Sequence, residues 1–432
     1  MTEDSARPFG FWTATALVVG GMIGSGIFVV PAAIAPYGWT GVVAWIVSMI
    51  GVICIAYVLG RLSATMPGAT GAVAMTSAVL GPLPGLLVGW SYWISCWTSC
   101  AMLAIGGIAY LSVFGPQLSM TPIVGAFSAT ALLVLLTLLN MRGAKAAGQF
   151  QVVTTALKLV PLVIVIAMVA GLGFSGRIAL PPMPPLPALA TSLTTATALA
   201  FLSFVGFEAA GVATERVRDP ARTIMIATMA GAAIVGVIYL IVSTGIVFAL
   251  TPERTAMSNA PVALFVETFW GHRPALLVAG FAAISVIGAL NCWILIQGET
   301  PLGMARAGLL PAWFGRVSSR DVPVGVLWMS SLLSAVLILT NGSKGLAAMF
   351  TFAAMLTTST ALWFYIAVCL AAARRGVARV PAVVGLAFTS WAMWGTGWGI
   401  SLLGLALTLT ALPLYWLRPK AGTAQGAAAA AA

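Results

Sequence analysis

Charge is what this chain has least of. Asp, Glu, Lys and Arg make up 7% of its 432 residues, where a soluble domain carries roughly 25%. A chain with so little charge cannot cover a globular surface with polar groups, so a soluble domain is excluded. Histidine is nearly missing too: His272 stands alone, in a segment read as a loop. The apolar stretches hold no paired carboxylates and no metal-ligand spacing. That inventory leaves no acid–base pair and no metal cluster, which excludes an intramembrane enzyme and implies no metal and no cofactor. The cysteines Cys54, Cys96, Cys100, Cys292 and Cys369 all fall inside apolar stretches, so no disulfide framework is implied. Alternating short strands are missing, which excludes an outer-membrane barrel. There is no cleavable signal pattern either; the basic-then-apolar start runs directly into a full span.

What is abundant is apolar sequence. Hydrophobic residues reach 61%, in runs such as Gly41 to Gly60 and Ile226 to Leu250. Each run, as a helix, crosses a hydrocarbon core of ~30 Å. The pattern predicts an all-α membrane protein of about twelve transmembrane helices, near 11–36, 40–60, 84–113, 122–140, 150–174, 190–211, 223–250, 273–298, 322–341, 345–373, 380–398 and 400–417. With the N-terminus in the cytoplasm, 15 of the 20 Lys and Arg fall in cytoplasmic segments. Only Arg177, Arg254, Arg273 and Lys344 fall outside, and Lys158 lies within a span. That bias predicts a multi-pass protein of the cell inner (plasma) membrane with both termini cytoplasmic. The net charge of +11 is spread over many short loops on one face. It reads as an orientation signal with some attraction to anionic membrane lipid, not as a nucleic-acid surface.

Two spans are irregular. The first contains Gly20-Gly21-Met22-Ile23-Gly24-Ser25-Gly26-Ile27-Phe28, and each glycine weakens a helix by about 1 kcal/mol relative to alanine. The glycines wrap all round the helix instead of forming the one-sided stripe of a close helix contact. No strand precedes them, so a nucleotide loop is excluded. The expectation is a broken helix, tolerated in lipid only where it lines a cavity or is buried in protein. The sixth span carries Ser203-Phe204-Val205-Gly206-Phe207-Glu208-Ala209-Ala210-Gly211, and Glu208 is the acid placed well within the apolar stretches. A carboxylate at that depth needs partners; it either braces the unwound segment through backbone N–H groups or meets a substrate. Five spans separate the breaks. An odd number inverts the second set of helices, so the pattern predicts two inverted five-span repeats with discontinuous first helices. In that arrangement half-helix N-termini hold a carboxylate and unwound carbonyls hold a cation. An amino acid has one of each.

Gly24-Ser25-Gly26-Ile27-Phe28 with Pro31, Tyr92-Trp93-Ile94-Ser95-Cys96-Trp97, Ser203 to Glu208 with Asp219-Pro220, and Met304-Ala305-Arg306-Ala307-Gly308-Leu309-Leu310-Pro311 together resemble the amino acid–polyamine–organocation superfamily. Within it they resemble the basic amino-acid/polyamine antiporters, nearest the arginine/agmatine branch. The resemblance runs to about Leu417. It implies a LeuT-like fold, with a permease domain over 11–417: repeat one 11–174, repeat two 190–373, and two extra helices over 380–417. Residues 1–10 and the low-complexity tail 418–432 then lie in the cytoplasm. It implies a secondary transporter for amino acids or polyamines, such as an arginine/agmatine exchanger, working by alternating access. A homodimer is left open. By the same resemblance Ile23, Ser25 and Gly26 bind the substrate carboxylate, the carbonyls of Ser203, Phe204 and Val205 bind its amine, and Trp293 stacks on a distal cation. Cys96 and Cys100 are placed at the substrate, although as sequence they read as small residues at a helix interface. Leu202 takes the place of a gating Trp.

Three positions depart from the branch: Gly21 and Cys100 stand where it has Asn, and Leu202 where it has Trp. These changes remove polar partners for a guanidinium, so a proton-coupled or facilitative permease for neutral amino acids is the alternative reading. Lys158, within Thr154-Thr155-Ala156-Leu157-Lys158-Leu159-Val160-Pro161, has apolar sequence on both sides and cannot snorkel to the surface. Relatives in the superfamily carry a Lys here, where sodium-coupled members hold the ion. Lys158 and Glu208 are therefore the expected coupling residues. A channel would show repeated pore-lining polar residues instead.

Overall fold

Where water is absent, an apolar chain must satisfy its backbone within itself, and the helix does so. The computed structural model describes residues 10–66, 71–142, 157–178, 180–208 and 220–418, and every regular element among them is helical. Residues 1–9, 150–156 of the expected fifth span, 209–211 of the sixth, Asp219 and the tail from 419 lie outside the described residues, as does the side chain of Ser25.

The chain opens with α1 (Phe11–Met22) and α2 (Ser25–Ile34). A 3-10 turn, Ala35–Tyr37, leads into α3 (Gly38–Ala64). Next come α4 (Ala72–Leu80), α5 (Pro82–Leu111), α6 (Pro122–Asn140), α7 (Leu159–Phe174) and α8 (Leu186–Leu202). The second half holds α9 (Pro220–Leu250), α10 (Pro252–Ala256), α11 (Pro261–Trp270), α12 (His272–Arg306) and α13 (Val324–Thr340). It closes with α14 (Leu346–Arg375), α15 (Arg379–Gly395), α16 (Trp398–Leu409) and α17 (Leu412–Trp416). Among the described residues, 7 helical stretches are long and apolar enough to cross a membrane. The apolar α1, α7, α8, α11 and α13 are shorter. The protein is a multi-pass membrane protein.

Composition sorts the helices between centre and rim. The most apolar window of α5 is 94% buried and that of α14 83%, against 33% for α6 and 17% for α16–α17. The central pair carries the small and hydroxyl side chains. Ser91 Oγ donates to Thr360 O at 2.8 Å and Thr357 Oγ1 to Thr98 Oγ1 at 2.8 Å. Trp93 Nε1 donates to Ser330 Oγ at 2.9 Å, and Ser334 Oγ to Trp97 O at 2.7 Å, tying α5 to α13. Lipid tails give helices no hydrophobic reason to associate, so close packing and such bonds hold the centre. The rim helices instead show Phe127, Leu135 and Leu402 to the outside.

The structure moves several expected boundaries. The sixth span starts at Leu186 and its helix stops at Leu202. The last pair divides at Thr396–Gly397, where Gly397 takes φ 84, and α16 is followed by a separate short α17. Helices α4, α10 and α11 were not expected, because 9, 5 and 10 residues are too few to register as spans. His272, expected in a loop, is the first residue of α12.

A packing prediction follows from the glycines. A Cβ on Gly395 would lie 2.0 Å from Thr194 O, a backbone atom of α8 that cannot step aside, whereas one on Gly171 would meet nothing within 4 Å. Overpacking costs about 1–3 kcal/mol. Gly395→Val should lower the melting temperature of the purified protein by several degrees, and Gly171→Ala should leave it unchanged or raise it.

Candidate functional site

A break in a helix orphans carbonyls on one side and N–H groups on the other. After α1, Ile23 is extended (ψ 99) and Gly24 takes φ −139, ψ −134 before α2 begins at Ser25. Three of the freed carbonyls have side-chain donors. The Lys158 ammonium donates to Gly20 O and, at 3.1 Å, to Ile23 O. Tyr239 OH donates to Met22 O at 2.8 Å. On the other side, no described side chain caps the N-terminus of α2. The N–H groups there lie at the positive end of a helix dipole, the end that favours an anion.

The second break follows α8. Ser203, Phe204 and Val205 each donate their N–H three residues back, to Ala200, Phe201 and Leu202, in a tightened turn. Gly206 then takes φ 108. Glu208 braces this turn: its Oε2 accepts from Gly206 N at 3.2 Å and from Tyr365 OH at 2.9 Å, and its Oε1 from Tyr92 OH at 2.8 Å. Tyr92 sits on α5 and Tyr365 on α14, so the carboxylate ties the turn to both central helices. Three donors satisfy a half-buried carboxylate in place of water.

The two breaks touch. A Cβ on Gly26 would lie 2.7 Å from Ser203 Cβ, and one on Gly206 would lie 3.0 Å from Gly21 O. Only glycine permits the second contact, because φ 108 is open to it and the carbonyl is backbone. At this junction Ser203 Oγ is buried with no hydrogen-bond partner among the described residues. Gly24 faces α12, where a Cβ would lie 3.1 Å from Ala289 Cβ. Val286 approaches Gly106, and Val286, Ala289 and Trp293 recur at i, i+3, i+7. Trp293, 8% exposed, therefore lies on the α12 face turned toward the first break. Cys96 and Cys100 are fully buried on α5. The Cys100 thiol lies within electrostatic reach of Cys292, as Cys292 does of Lys158.

The remaining expected residues are placed as follows. Ile23, Leu202 and Val205 are buried beside the breaks. The Phe204 ring packs on Trp45 and Tyr239 at centroid distances of 6.1 and 5.8 Å, away from Ser203, so only its backbone is offered to a ligand. Phe204 O already accepts from Phe207 N at 3.2 Å. Sequence reasoning missed the roles of Tyr92, Tyr239 and Tyr365. The signal was present: a tyrosine deep in an apolar span needs an acceptor for its hydroxyl, and freed carbonyls and Glu208 are the acceptors at that depth.

A cavity of about 560 Å³ is lined in part by α2, the helix that follows the first break. Its lining includes the buried Val29, Gly106 and Phe350 and the exposed Asn259 and Lys344. Val29 is three residues from Gly26, ~4.5 Å along the helix axis.

The sequence profile of amino acid permeases matches residues 9–428 of the chain. The chain belongs to the amino acid permease family. This permease is 29% identical over 339 residues to the cadaverine/lysine antiporter of Escherichia coli (strain K12), covering 78% of this chain and 76% of that one. It is 27% identical over 347 residues to the arginine/ornithine antiporter of Pseudomonas aeruginosa, covering 78% and 72%. The arginine/ornithine antiporter of Latilactobacillus sakei is similar at 27% over 352 residues, covering 79% and 74%. The permease is a transport protein and not an enzyme.

The junction makes one residue decisive. In this permease Gly26→Leu should reduce transport to background, because its Cβ would lie 2.7 Å from Ser203 Cβ and force the two breaks apart, with some loss of melting temperature expected from the same clash. Normal uptake by that variant would move the site elsewhere.

Proposed function

We propose that this permease is a secondary antiporter that exchanges basic amino acids or their amine products across the inner membrane by alternating access. Its site is the junction of the two breaks. The observation that carries this reading is the pairing, at one place, of an uncapped α2 N-terminus with the turn around the unpartnered Ser203 Oγ. The first suits a carboxylate. The second, with the carbonyls of Ser203 to Val205, suits an amine. Family membership and the antiporter relatives support the exchange of such solutes.

In this reading Ile23, Ser25 and Gly26 take the carboxylate. Trp293 stacks on the distal cation, Cys96 and Cys100 line the pocket, and Leu202 closes over it. The chain forms two inverted five-helix repeats, 11–174 and 190–373, with two extra helices over 380–417 and both termini in the cytoplasm. The breaks at Ile23–Gly24 and after Leu202 support that division. Lys158 supplies the positive charge that a bound sodium ion would bring to the same carbonyls, so exchange needs no sodium.

A second reading, transport of neutral amino acids, is favoured by Gly21, Cys100 and Leu202, which leave a guanidinium few polar partners. Proteoliposomes decide between them. Loaded with lysine or arginine and free of sodium, they should take up labelled lysine, arginine, ornithine or cadaverine only when counter-substrate is inside. Trp293→Leu should weaken the cationic substrates about tenfold or more relative to a neutral amino acid, because a desolvated cation–π contact is worth ~2 kcal/mol. Uptake confined to neutral amino acids, with equal losses in Trp293→Leu, selects the second reading.

A further inference from the structure

The cavity lined in part by α2 has a charge imbalance. Lys344 is its one charged lining residue among the described residues; the other polar lining residues are Ser258, Asn259 and Thr351, and no carboxylate is among them. The ammonium is fixed in place. Nζ donates to Asn341 Oδ1 at 2.8 Å and lies 4.6 Å from the centroid of the Phe352 ring. Those contacts use one of its three donors, and no described carboxylate pairs with it. The adjoining cavity shares Ala109, Ser258 and Asn259 and holds Glu267, but that carboxylate is 2.9 Å from His272 Nδ1. Lys344 lies just before α14, and Arg374 and Arg375 close the same helix at its far end. By the Lys/Arg bias the cavity mouth is the external one.

A fixed cation at the mouth of a cavity with apolar walls acts differently on the two partners of an exchange. A basic amino acid carries a carboxylate that can meet the ammonium. Its decarboxylated amine carries only positive charge and is repelled. The focusing of a field by low-dielectric walls makes the difference larger than it would be on an open surface. We propose that Lys344 is an external selectivity residue that admits the carboxylate-bearing amino acid and turns away the carboxylate-free amine. This rests on the antiporter reading above and adds to it a second subsite, which favours the amino acid over the amine at the external face.

The test is uptake by intact cells that lack their own lysine and cadaverine carriers and produce the full chain or its variants. External KM is measured for lysine and for cadaverine. Lys344→Glu should raise the first and lower the second, shifting their ratio about tenfold, with Lys344→Gln between it and the wild type and Lys344→Arg close to the wild type. Salt at 0.5 M should shrink the wild-type preference, because it screens a charge at an exposed mouth; it should leave Lys344→Gln unaffected. Gel filtration of each purified variant identifies any that misfold, and the salt dependence of the wild type serves as a test that needs no variant. If the wild type moves both solutes but the KM ratio of Lys344→Glu is unchanged and the wild-type ratio ignores salt, the selectivity role is wrong and the antiporter reading stands. If the wild type moves neither, the antiporter reading fails and takes this one with it.

Discussion

The contact between the Lys158 ammonium and the carbonyls of Gly20 and Ile23 is the one on which the rest depends. An unwound backbone in the interior of a membrane protein is costly unless each freed group is met. Glycine opens the helix at Gly24, and the lysine, with Tyr239 on Met22 O, makes the opening permanent. Without those donors the freed carbonyls would favour rewinding, and rewinding would close off the N-terminus of α2. The ammonium is in turn kept in place by what it holds, because it is 2% exposed and has no route to the surface.

The second break is held from the opposite charge. Glu208 meets a backbone N–H and two tyrosine hydroxyls, so a cation stabilises freed carbonyls at one break and an anion stabilises a freed N–H at the other. The tyrosines belong to α5 and α14, the most buried helices, whereas Lys158 immediately precedes α7. A transporter needs two bodies that move against each other around a fixed site. In the proposed alternating-access cycle, charges that fasten each break to different helices would give two such bodies separate anchors. The scarcity of charge elsewhere in the spans is consistent with this, since each additional buried charge would need its own partners.

Much of this was legible in the sequence for a definite reason. Four glycines within Gly20–Gly26, inside a run otherwise long enough to span, have no role in a regular helix, so a break could be placed within that stretch. Lys158 and Glu208 stood out because a charge in an apolar run has few explanations. The tyrosines signalled that each needs an acceptor, but which acceptor each one meets was not legible, because it lies far off in sequence: Tyr365 and Glu208 are 157 residues apart. Helices α4, α10 and α11 were missed because length is the signal for a span, and they are short. The cavity mouth was invisible for a related reason. Lys344 entered the sequence reading only as one count in the loop bias, and its place beside Phe352 and Asn341 depends on how α14 meets its neighbours.

The most direct measurement of the central claim is substrate affinity of Lys158→Ala in sodium-free detergent solution, followed as ligand-induced thermal stabilisation beside the wild type. A hydrogen bond to a charged group is worth about 1.5–3 kcal/mol, so losing two should weaken binding by more than about tenfold. The account predicts a folded protein that lysine, arginine and their amines no longer stabilise at concentrations that stabilise the wild type. Wild-type stabilisation of Lys158→Ala by the same ligands would contradict it.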